Sequence, residues 1–453
     1  HCSFNTVRST RKAISQTAVK VIVHPSRLGG TLRVPASKSV MQRACAAALI
    51  RKGETILYHP GYCADDKAAL AVIVSLGATV QAQDDKVQID SRGLLSDKPL
   101  LVGCGESGLG MRMFTPIAAC LSHSVTLTGS GSLRNRPMDF FDQVLPKLGV
   151  VVCTTDGKLP IEVQGPLVPA SIEIDGTLSS QFLTGLLFAY AAAEASEVSL
   201  RVNGLVSKPY IDLTLSVLRS FGLPCPENKG YEVFYFPKIE RCTEQDTRVV
   251  TRSPLRYTVE SDWSSAAFLL VAGALAGPVH LQGLDLASFQ SDRAILQVLD
   301  RAGVSYAVDA KGIVVHPSEI KPFVFDATDC PDLFPPLVAL ASYAPGTSII
   351  AGAHRLYHKE SDRAQTLQQE FAKMGVVVHA VDDALEVQGG GELKGASVSS
   401  CGDHRIAMAL AVAALRATGP TTIAEAEAIK KSYPGFFADL SLLGASLSLP
   451  DLN

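Results

Sequence analysis

Acidic residues are absent from the first 53 positions of this 453-residue chain, and Glu54 is the first of them. The first 20 residues are also basic and rich in hydroxyl groups, a composition shared by transit peptides and by disordered basic tails. The acid-free stretch continues into a loop that carries candidate site residues, which weakens the case for a targeting signal. We therefore interpret residues 1–20 as a disordered basic tail.

Other absences exclude further classes of protein. No apolar run reaches the roughly 18 residues that span a bilayer, so no membrane partner is expected. A net charge of −3 argues against nucleic acid as a partner. The ten cysteines include no CxxC pair, which favours reduced thiols in a cytoplasmic protein over disulfides or metal ligands. His354 and His358 lack the glutamate of a zinc-protease helix, so no metal site is expected.

What the chain does contain is a polar loop that runs into a helix rich in Ala and Leu, repeated six times. The loops are separated by roughly 70 to 85 residues, which indicates one supersecondary unit used six times in a globular α/β assembly. Their residues are Ser37-Lys38-Ser39, Glu106-Ser107-Gly108, Ser179-Ser180-Gln181, Asp262-Trp263-Ser264-Ser265, Asp332-Leu333-Phe334 and Asp403-His404-Arg405.

Basic residues stand at several of these helix starts, where a cation is mildly unfavourable. Lys38, Arg112 and Arg405 lie at or just inside the starts, with Arg43 about one turn further on. Bound anions would remove that cost, because the helix N–H groups also contact them. We therefore predict a site for a multiply charged anionic substrate. Asp332 and Asp403 are additionally expected to cap their helices.

Four predicted helices end near a glycine and are each followed by a two-stranded ribbon. This order supports the six-fold repeat independently of the polar loops. The four segments are VVCTTDGKLPIEVQG, LRSFGLPCPENKGYEVFYF, LDRAGVSYAVDAKGIVVH and FAKMGVVVHAVDDALEVQG. Residues 240–254 are polar and form the best candidate linker, which divides the repeats three and three. Two similar halves with a ligand site in the cleft between them are expected.

Two nucleotide-binding patterns are incomplete. The Gly103–Gly108 segment matches G-x-G-x-x-G, but the acidic residue about 20 positions further on is missing. Ser37-Lys38-Ser39 ends like a Walker A loop, yet Ser37 replaces the glycine before the lysine. Neither dinucleotide nor ATP binding is predicted.

Ten short motifs, in order from about Lys20 to the C-terminus, resemble those of the 5-enolpyruvylshikimate-3-phosphate (EPSP) synthase family of enolpyruvyl transferases. They are VPASKSVMQRA, GESGLGMR, LRNRPM, DGTLSSQFLTGLL, SKPYIDLTL, ESDWSSAAF, CPD, HKESDR, CGDHRIAMA and IKKSYPGFF. The resemblance implies an α/β fold with two similar domains, each of three βαβαββ repeats arranged as an inside-out α/β barrel, and an active site in the inter-domain cleft. The expected domains are residues 21–37 with 258–453, which form a discontinuous first domain, and residues 38–257.

The resemblance implies transfer of the enolpyruvyl group of phosphoenolpyruvate to shikimate 3-phosphate, a step of the shikimate pathway inhibited by glyphosate. It implies no cofactor and a monomer. Phosphoenolpyruvate is expected at Lys38, Gly108, Arg136, Gln181, Arg363, Arg405 and Lys431. Shikimate 3-phosphate is expected at Ser39, Arg43, Ser179, Ser180, Gln181, Ser207, Tyr210, Asp332 and Lys359. Further candidates for the site are Arg112, Arg355 and His404.

Proton transfer is expected from Lys38, Asp332 and Glu360, with charged neighbours tuning each group. Asp332 would act as the base on the attacking hydroxyl and Glu360 would exchange protons at the methylene carbon, but the sequence leaves the division of roles open.

Glu106, Leu109 and Arg355 depart from the family pattern, and Glu106 is expected to need a partner among Arg112, Arg355 and Lys431. Two rival functions remain: the related transferase acting on UDP-N-acetylglucosamine, and a silent relative that binds anions for regulation.

Overall fold

The computed structural model describes residues 19–93, 99–238, 253–357 and 359–449. The predicted basic tail, apart from Val19 and Lys20, lies outside these residues, as does the predicted linker apart from Ser253 and Pro254. His358 also lies outside them.

The helices of the described residues alternate with short strands along the whole chain. They are α1 (Lys38–Ile50), α2 (Ala64–Ser75), α3 (Gly108–Ala118), α4 (Phe140–Val144), α5 (Ser180–Ala192), α6 (Lys208–Ser220), α7 (Trp263–Ala276), α8 (Ile295–Arg301), α9 (Phe334–Ala341), α10 (Arg363–Lys373), α11 (His404–Ala414) and α12 (Phe436–Leu442). No described helix has both the length and the apolar character needed to cross a membrane.

The strands of the first half form three four-stranded sheets. In spatial order they are β14 (Leu255–Thr258), β3 (Glu54–Tyr58), β5 (Lys86–Asp90) and β4 (Thr79–Ala82); then β6 (Leu100–Gly103), β7 (Ser124–Thr128), β9 (Lys158–Gln164) and β8 (Val151–Thr155); then β10 (Ile172–Asp175), β11 (Val198–Asn203), β13 (Val233–Phe236) and β12 (Glu227–Lys229).

Three more sheets complete the fold. They are β2 (Thr31–Arg33), β15 (Val279–Gln282), β17 (Gly312–Val315) and β16 (Tyr306–Val308); then β18 (Val324–Asp326), β19 (Gly346–Ala351), β21 (Ala384–Gly389) and β20 (Val377–Val381); then β22 (Ser397–Ser399), β23 (Thr421–Ala424), β1 (Val21–Val23) and β24 (Leu447–Ser448).

All six sheets share one plan. A parallel pair is followed by two antiparallel strands, as in β6 parallel to β7, β7 antiparallel to β9, and β9 antiparallel to β8. This is the pairing that a βαβαββ unit produces, because a parallel connection needs a crossover helix whereas the last two strands form a hairpin. The predicted α/β fold of six repeated units is confirmed.

The buried apolar residues form two separate cores. One combines Val21–Val34 with residues from Trp263 to Ala445, and the other extends from Val40 to Val259. The chain therefore passes between the cores twice, and the two crossing segments pair through an antiparallel bridge between Ala36 and Ser261. We propose on this basis the division into residues 21–37 with 258–453 (half I) and residues 38–257 (half II), with Thr258 and Val259 at the boundary still packed against half II.

The six Ala- and Leu-rich helices begin at the predicted loops. Five of them start after a residue whose side chain accepts a helix N–H, namely Ser37, Ser107, Ser179, Asp262 and Asp403. The prediction that Asp332 caps its helix is wrong. Residues Pro331–Leu333 form a 3-10 turn before α9, and the Asp332 carboxylate instead binds nearby cations.

The four predicted ribbons are confirmed as antiparallel pairs: β8 with β9, β12 with β13, β16 with β17, and β20 with β21. At the β8–β9 turn, Asp156 and Gly157 both adopt positive φ, of 52° and 68°. Two successive residues of this kind form the turn whose twist matches a tight hairpin.

Candidate active site

A cavity of about 330 Å³ lies between the two halves, and both contribute to its wall. Most of the residues that the sequence predicted for the site line it. They are Lys38, Ser39, Arg43, Gly108, Arg112, Arg136, Ser179, Ser180, Gln181, Ser207 and Tyr210 from half II, and Asp332, Arg355, Lys359, Glu360, His404 and Arg405 from half I.

Arg363 and Lys431 are the two predicted residues that do not line this cavity. The side chain of Arg363 has no exposed surface, and that of Lys431 is only 10% exposed. Both lie behind Glu360, since Arg363 Nη2 is 2.7 Å and Lys431 Nζ 3.1 Å from its carboxylate oxygens. Arg363 and Lys431 therefore act on the cavity indirectly, because they position the Glu360 carboxylate that lines it.

Arg363 joins three carboxylates. It begins α10, and its guanidinium reaches Asp332 at 2.9 Å, Glu360 at 2.7 Å and Asp403 at 2.9 Å. A planar guanidinium has five N–H donors in a fixed fork, which allows one side chain to orient several acids. The geometry fixes the relative positions of Asp332 and Glu360, two of the three carboxylates that line the cavity.

Asp332 is surrounded by positive charge. Besides Arg363, its carboxylate lies 3.1 Å from Arg405 Nη2 and 3.4 Å from Lys359 Nζ. Burial favours the neutral acid, but these cations outweigh it and hold the pKa of Asp332 well below its usual value. Asp332 is therefore ionised at neutral pH. Burial lowers the pKa of Lys359 to about 8 despite this carboxylate.

Glu360 receives cations from both halves. Lys431 and Arg363 belong to half I, whereas Arg136 Nη2, 3.3 Å from Glu360 Oε1, belongs to half II. Burial alone would raise the pKa of Glu360, but Lys431 and Arg136 hold it well below its usual value. Glu360 is thus ionised, and it takes up a proton only if the positive charges of Lys431 and Arg136 are neutralised by another group.

Lys38 is the first residue of α1 and points at Asp65, whose Oδ2 lies 3.0 Å from Lys38 Nζ. Burial lowers the pKa of Lys38, but the Asp65 carboxylate outweighs it and leaves the pKa above its usual value. Lys38 therefore stays an ammonium group in the unliganded protein and can pair with an anion or donate a proton.

Arg43 and Arg112 are buried cations with no carboxylate within ion-pair distance among the described residues. Arg43 donates to Thr214 Oγ1 at 2.9 Å and to the carbonyl oxygen of Ser39 at 2.9 Å. Arg112 donates to Gln181 Oε1 at 3.0 Å and packs over the Phe182 ring. Burial lowers the pKa of Arg43 to about 10 and that of Arg112 to about 9. Both charges would be stabilised by a bound anion.

Gly108 lies close to Arg136. A Cβ atom at Gly108 would come within 2.6 Å of Arg136 Nη1, which is closer than a van der Waals contact allows. The absence of a side chain therefore leaves the guanidinium free to face the cavity.

His404 is fully buried in the cavity wall, and neither ring nitrogen has a hydrogen-bond partner among the described residues. Burial lowers its pKa well below the usual value, although Glu360 opposes this. The imidazole is therefore neutral at pH 7 and can orient a ligand through either nitrogen.

Sequence reasoning missed several residues of the cavity wall: Asp65, Leu109 as a lining residue, Thr177, Leu178, Pro331 and His354. Asp65 matters most because it pairs with Lys38. Its only signal was an acidic residue in the first turn of a helix, which is common for electrostatic reasons alone.

Glu106 is not paired as expected. It is exposed, its carboxylate lies against Gly131, and none of the ion pairs found among the described residues includes it. Glu106 therefore adds no ion pair to those that Asp65, Asp332 and Glu360 make with the cations of the cavity. Within the described residues, no cluster of His, Cys, Asp or Glu could hold a metal ion.

Comparison with known proteins gives matches over nearly the whole chain. The family model described as EPSP synthase (3-phosphoshikimate 1-carboxyvinyltransferase) matches residues 22–440. The 3-phosphoshikimate 1-carboxyvinyltransferase of Clostridium kluyveri is 36% identical over 427 residues, which cover 94% of this chain and 98% of that protein. The protein of the same name from Thermococcus kodakarensis is 37% identical over an alignment that covers 93% of this chain and 100% of that protein. The solved EPSP synthase of Acinetobacter baumannii has a TM-score of 0.78 at 25% identity, covering 96% of this chain and 100% of its own.

Proposed function

The chain belongs to the EPSP synthase family, and on this premise we propose that it transfers the enolpyruvyl group of phosphoenolpyruvate to the 5-hydroxyl of shikimate 3-phosphate, releasing phosphate. This is a transferase step of the shikimate pathway, on the route to chorismate and the aromatic amino acids. The observation that carries the proposal is the convergence of basic side chains from both halves on one cavity that also contains two ionised carboxylates.

The two substrates together carry two phosphates and two carboxylates, and seven lysine and arginine side chains line the cavity that would receive them. Phosphoenolpyruvate is assigned to Lys38, Gly108, Arg136, Gln181 and Arg405, which line the cavity, whereas Arg363 and Lys431, also expected there, act through Glu360, which they hold. Shikimate 3-phosphate is assigned to Ser39, Arg43, Ser179, Ser180, Gln181, Ser207, Tyr210, Asp332 and Lys359. Arginine suits bidentate pairing with such groups, whereas the serine hydroxyls can donate to phosphate and ring hydroxyls.

The reaction needs two proton transfers before phosphate leaves. The 5-hydroxyl oxygen attacks C2 of phosphoenolpyruvate and loses its proton to a base, while C3 gains a proton from an acid and becomes a methyl group. The resulting tetrahedral intermediate then expels phosphate as the methyl group returns a proton, which restores the double bond. A base and an acid on opposite sides of the reacting carbon satisfy this sequence.

The protonation states support a division of roles. Asp332 is ionised and can accept the hydroxyl proton. Glu360 is also ionised in the unliganded protein, but an anion that pairs with Arg136 in the cavity would weaken the field that lowers its pKa. Glu360 would then take up a proton and exchange it with C3. Lys38 stays charged beside Asp65 and stabilises negative charge on the intermediate.

Release of inorganic phosphate tests the function against its rivals. We expect release when the protein is mixed with phosphoenolpyruvate and shikimate 3-phosphate, and none when UDP-N-acetylglucosamine replaces the second substrate. Release only when phosphoenolpyruvate is mixed with the UDP-sugar would favour the related transferase. Binding of the substrates without release of phosphate would favour the silent relative. A monomer in the cytoplasm remains our prediction for assembly and location.

A further inference from the structure

Gln42 and Ser107 form a hydrogen bond that joins two helices of the site behind the cavity wall. Ser107 Oγ donates to the side-chain amide oxygen of Gln42 at 2.8 Å. Gln42 lies one turn after Lys38 in α1, and Ser107 stands directly before Gly108, the first residue of α3. Both Gln42 and Ser107 are buried, and neither lines the cavity. The bond therefore connects two helix starts that both contribute residues to the site.

The direction of this bond is set by the cap of α3. Ser107 Oγ accepts the backbone N–H of Gly110 at 2.9 Å, the contact expected of a serine at the start of a helix. A hydroxyl group has one hydrogen to donate, and the amide oxygen of Gln42 receives it. Ser107 is thus held from two sides, by the helix that it caps and by α1.

Two glycines allow α3 to lie this close to its neighbours. A Cβ atom at Gly110 would come within 3.1 Å of Ser107 Oγ and 3.5 Å of Gln42 Oε1, which would crowd the bonded pair. A Cβ atom at Gly185 of α5 would clash with the carbonyl oxygen of Arg112 in α3. The body of α3 is therefore packed against α5, while its first residues are held by the bond to α1.

The start of α3 carries two groups that face the proposed phosphoenolpyruvate site. Gly108 lies against Arg136, because a Cβ atom there would be 2.6 Å from Arg136 Nη1. Arg112, one turn into the helix, donates to Gln181 Oε1 at 3.0 Å. A displacement of the helix start would change both contacts, and it would also change the position of Gly108 relative to Lys38 on α1.

The part of α1 expected to bind shikimate 3-phosphate is held by other contacts. Arg43 follows Gln42, but its guanidinium donates to Thr214 Oγ1 at 2.9 Å and to the carbonyl oxygen of Ser39 at 2.9 Å. Neither of these partners belongs to α3. Loss of the bond between Gln42 and Ser107 should therefore affect one substrate more than the other.

We propose that Gln42 and Ser107 are positioning residues for phosphoenolpyruvate, because their hydrogen bond fixes the start of α3 against the helix that carries Lys38. The inference rests on the proposed function and adds to it two residues that act from behind the cavity wall. Within the described residues, Gln42 Nε2 has no hydrogen-bond partner. A buried amide with an unpaired donor costs free energy, so its contribution to the stability of the core does not explain it. Its bond to Ser107 gives it a role in the site.

Kinetics with each substrate varied in turn provide the test, with phosphate release as the assay. Gln42→Met keeps the length of the side chain but removes the amide oxygen. We expect it to raise the KM for phosphoenolpyruvate about three- to tenfold, the effect of one lost hydrogen bond. The KM for shikimate 3-phosphate should change by less than about twofold, as for an independent site. Ser107→Ala should give the same split between the substrates. The double variant should match Ser107→Ala alone, because both changes break the same bond.

The matched control is Thr115→Val, which removes a buried hydroxyl of α3 that lies outside the cavity wall and donates to the carbonyl oxygen of Met111 at 2.7 Å. Its constants should equal those of the unchanged protein. An unchanged KM for phosphoenolpyruvate in Gln42→Met, an equal rise for both substrates, or effects that multiply in the double variant would overturn the inference. If Gln42→Met does not fold, the split between the substrates in Ser107→Ala decides in the same way. Absence of phosphate release by the unchanged protein would instead overturn the proposed function.

Discussion

Arg363 and Asp403 form a two-point ion pair in which neither side chain has any exposed surface. Arg363 Nε lies 2.9 Å from Asp403 Oδ2, and Arg363 Nη2 lies 3.2 Å from Asp403 Oδ1. The same Asp403 Oδ1 accepts the backbone N–H of Arg405 at the start of α11. The helix cap and the orientation of the central guanidinium are therefore set by one carboxylate.

Replacement of Arg363 by Met should destabilise the protein. It leaves the buried Asp403 without its counterion and removes one cation each from Asp332 and Glu360. Loss of one partner of a buried pair costs about 3–5 kcal/mol. Urea unfolding measures the free energy, with Arg301→Met, an exposed arginine bound to one backbone carbonyl, as the control. A loss below about 1 kcal/mol would show that the pair is not structurally important.

The contribution of Glu360 to stability should depend on pH. Cations hold its pKa well below the value of about 4.3 that glutamate has in an unfolded chain. Below that value the unfolded state binds more protons, so the stabilisation is complete above about pH 5 and is lost as the pH falls through 4 toward 2. Unfolding free energies of the unchanged protein and Glu360→Gln should therefore converge as the pH falls. A difference that stays constant from pH 7 to 3 would contradict this.

Lys38→Met should remove turnover while the protein stays folded. The substitution keeps the length of the side chain but removes the ammonium group, which is 3.0 Å from Asp65 and faces the cavity. We expect the rate of phosphate release to fall at least about 100-fold, the lower end for loss of a group that stabilises negative charge in the transition state. Lys67→Met, an exposed lysine on α2, is the control. Full activity of Lys38→Met would exclude Lys38 from the mechanism.

Gly108→Ala should weaken the binding of phosphoenolpyruvate more than the binding of shikimate 3-phosphate. The new methyl group would lie 2.6 Å from Arg136 Nη1, so the guanidinium must move. A shift of about 1 Å in a substrate-positioning group can cost up to 100-fold, and we expect a rise of about tenfold in the KM for phosphoenolpyruvate. Gly103→Ala, where no atom lies within 4 Å of the added carbon, should leave both constants unchanged. Equal behaviour of the two variants would refute the steric explanation.

The repeated helix starts were predictable because each signal is local. A polar residue that caps the helix and the Ala- and Leu-rich run after it are neighbours in sequence, so the pattern alone locates α1, α3, α5, α7 and α11. No signal in the neighbouring sequence indicated the role of Asp332. Two prolines open α9 and a 3-10 turn precedes it, so the carboxylate is placed by contacts with Arg363 and Arg405 from distant segments.

The individual strand pairings over long distances were not predicted, although the resemblance implied that residues 21–37 belong with residues 258–453. β14 joins β3 in half II, although almost 200 positions separate them, and β1 lies between β23 and β24 in half I. Strand pairing over such distances leaves no periodic signal in the intervening chain. The pairing of Lys38 with Asp65 was hidden for a related reason, since each residue fits its own helix start without reference to the other.

The strand exchange has a consequence for the order in which the protein is assembled during synthesis. Half II has all its strands once Thr258 has left the ribosome, because β14 completes the sheet of β3, β4 and β5. β2 must wait for β15, and β1 must wait for β23 near the C-terminus. β1 thus precedes every other described strand and is among the last to find its neighbours, so the sheet of half I to which it belongs closes only after β23 and β24 have been made.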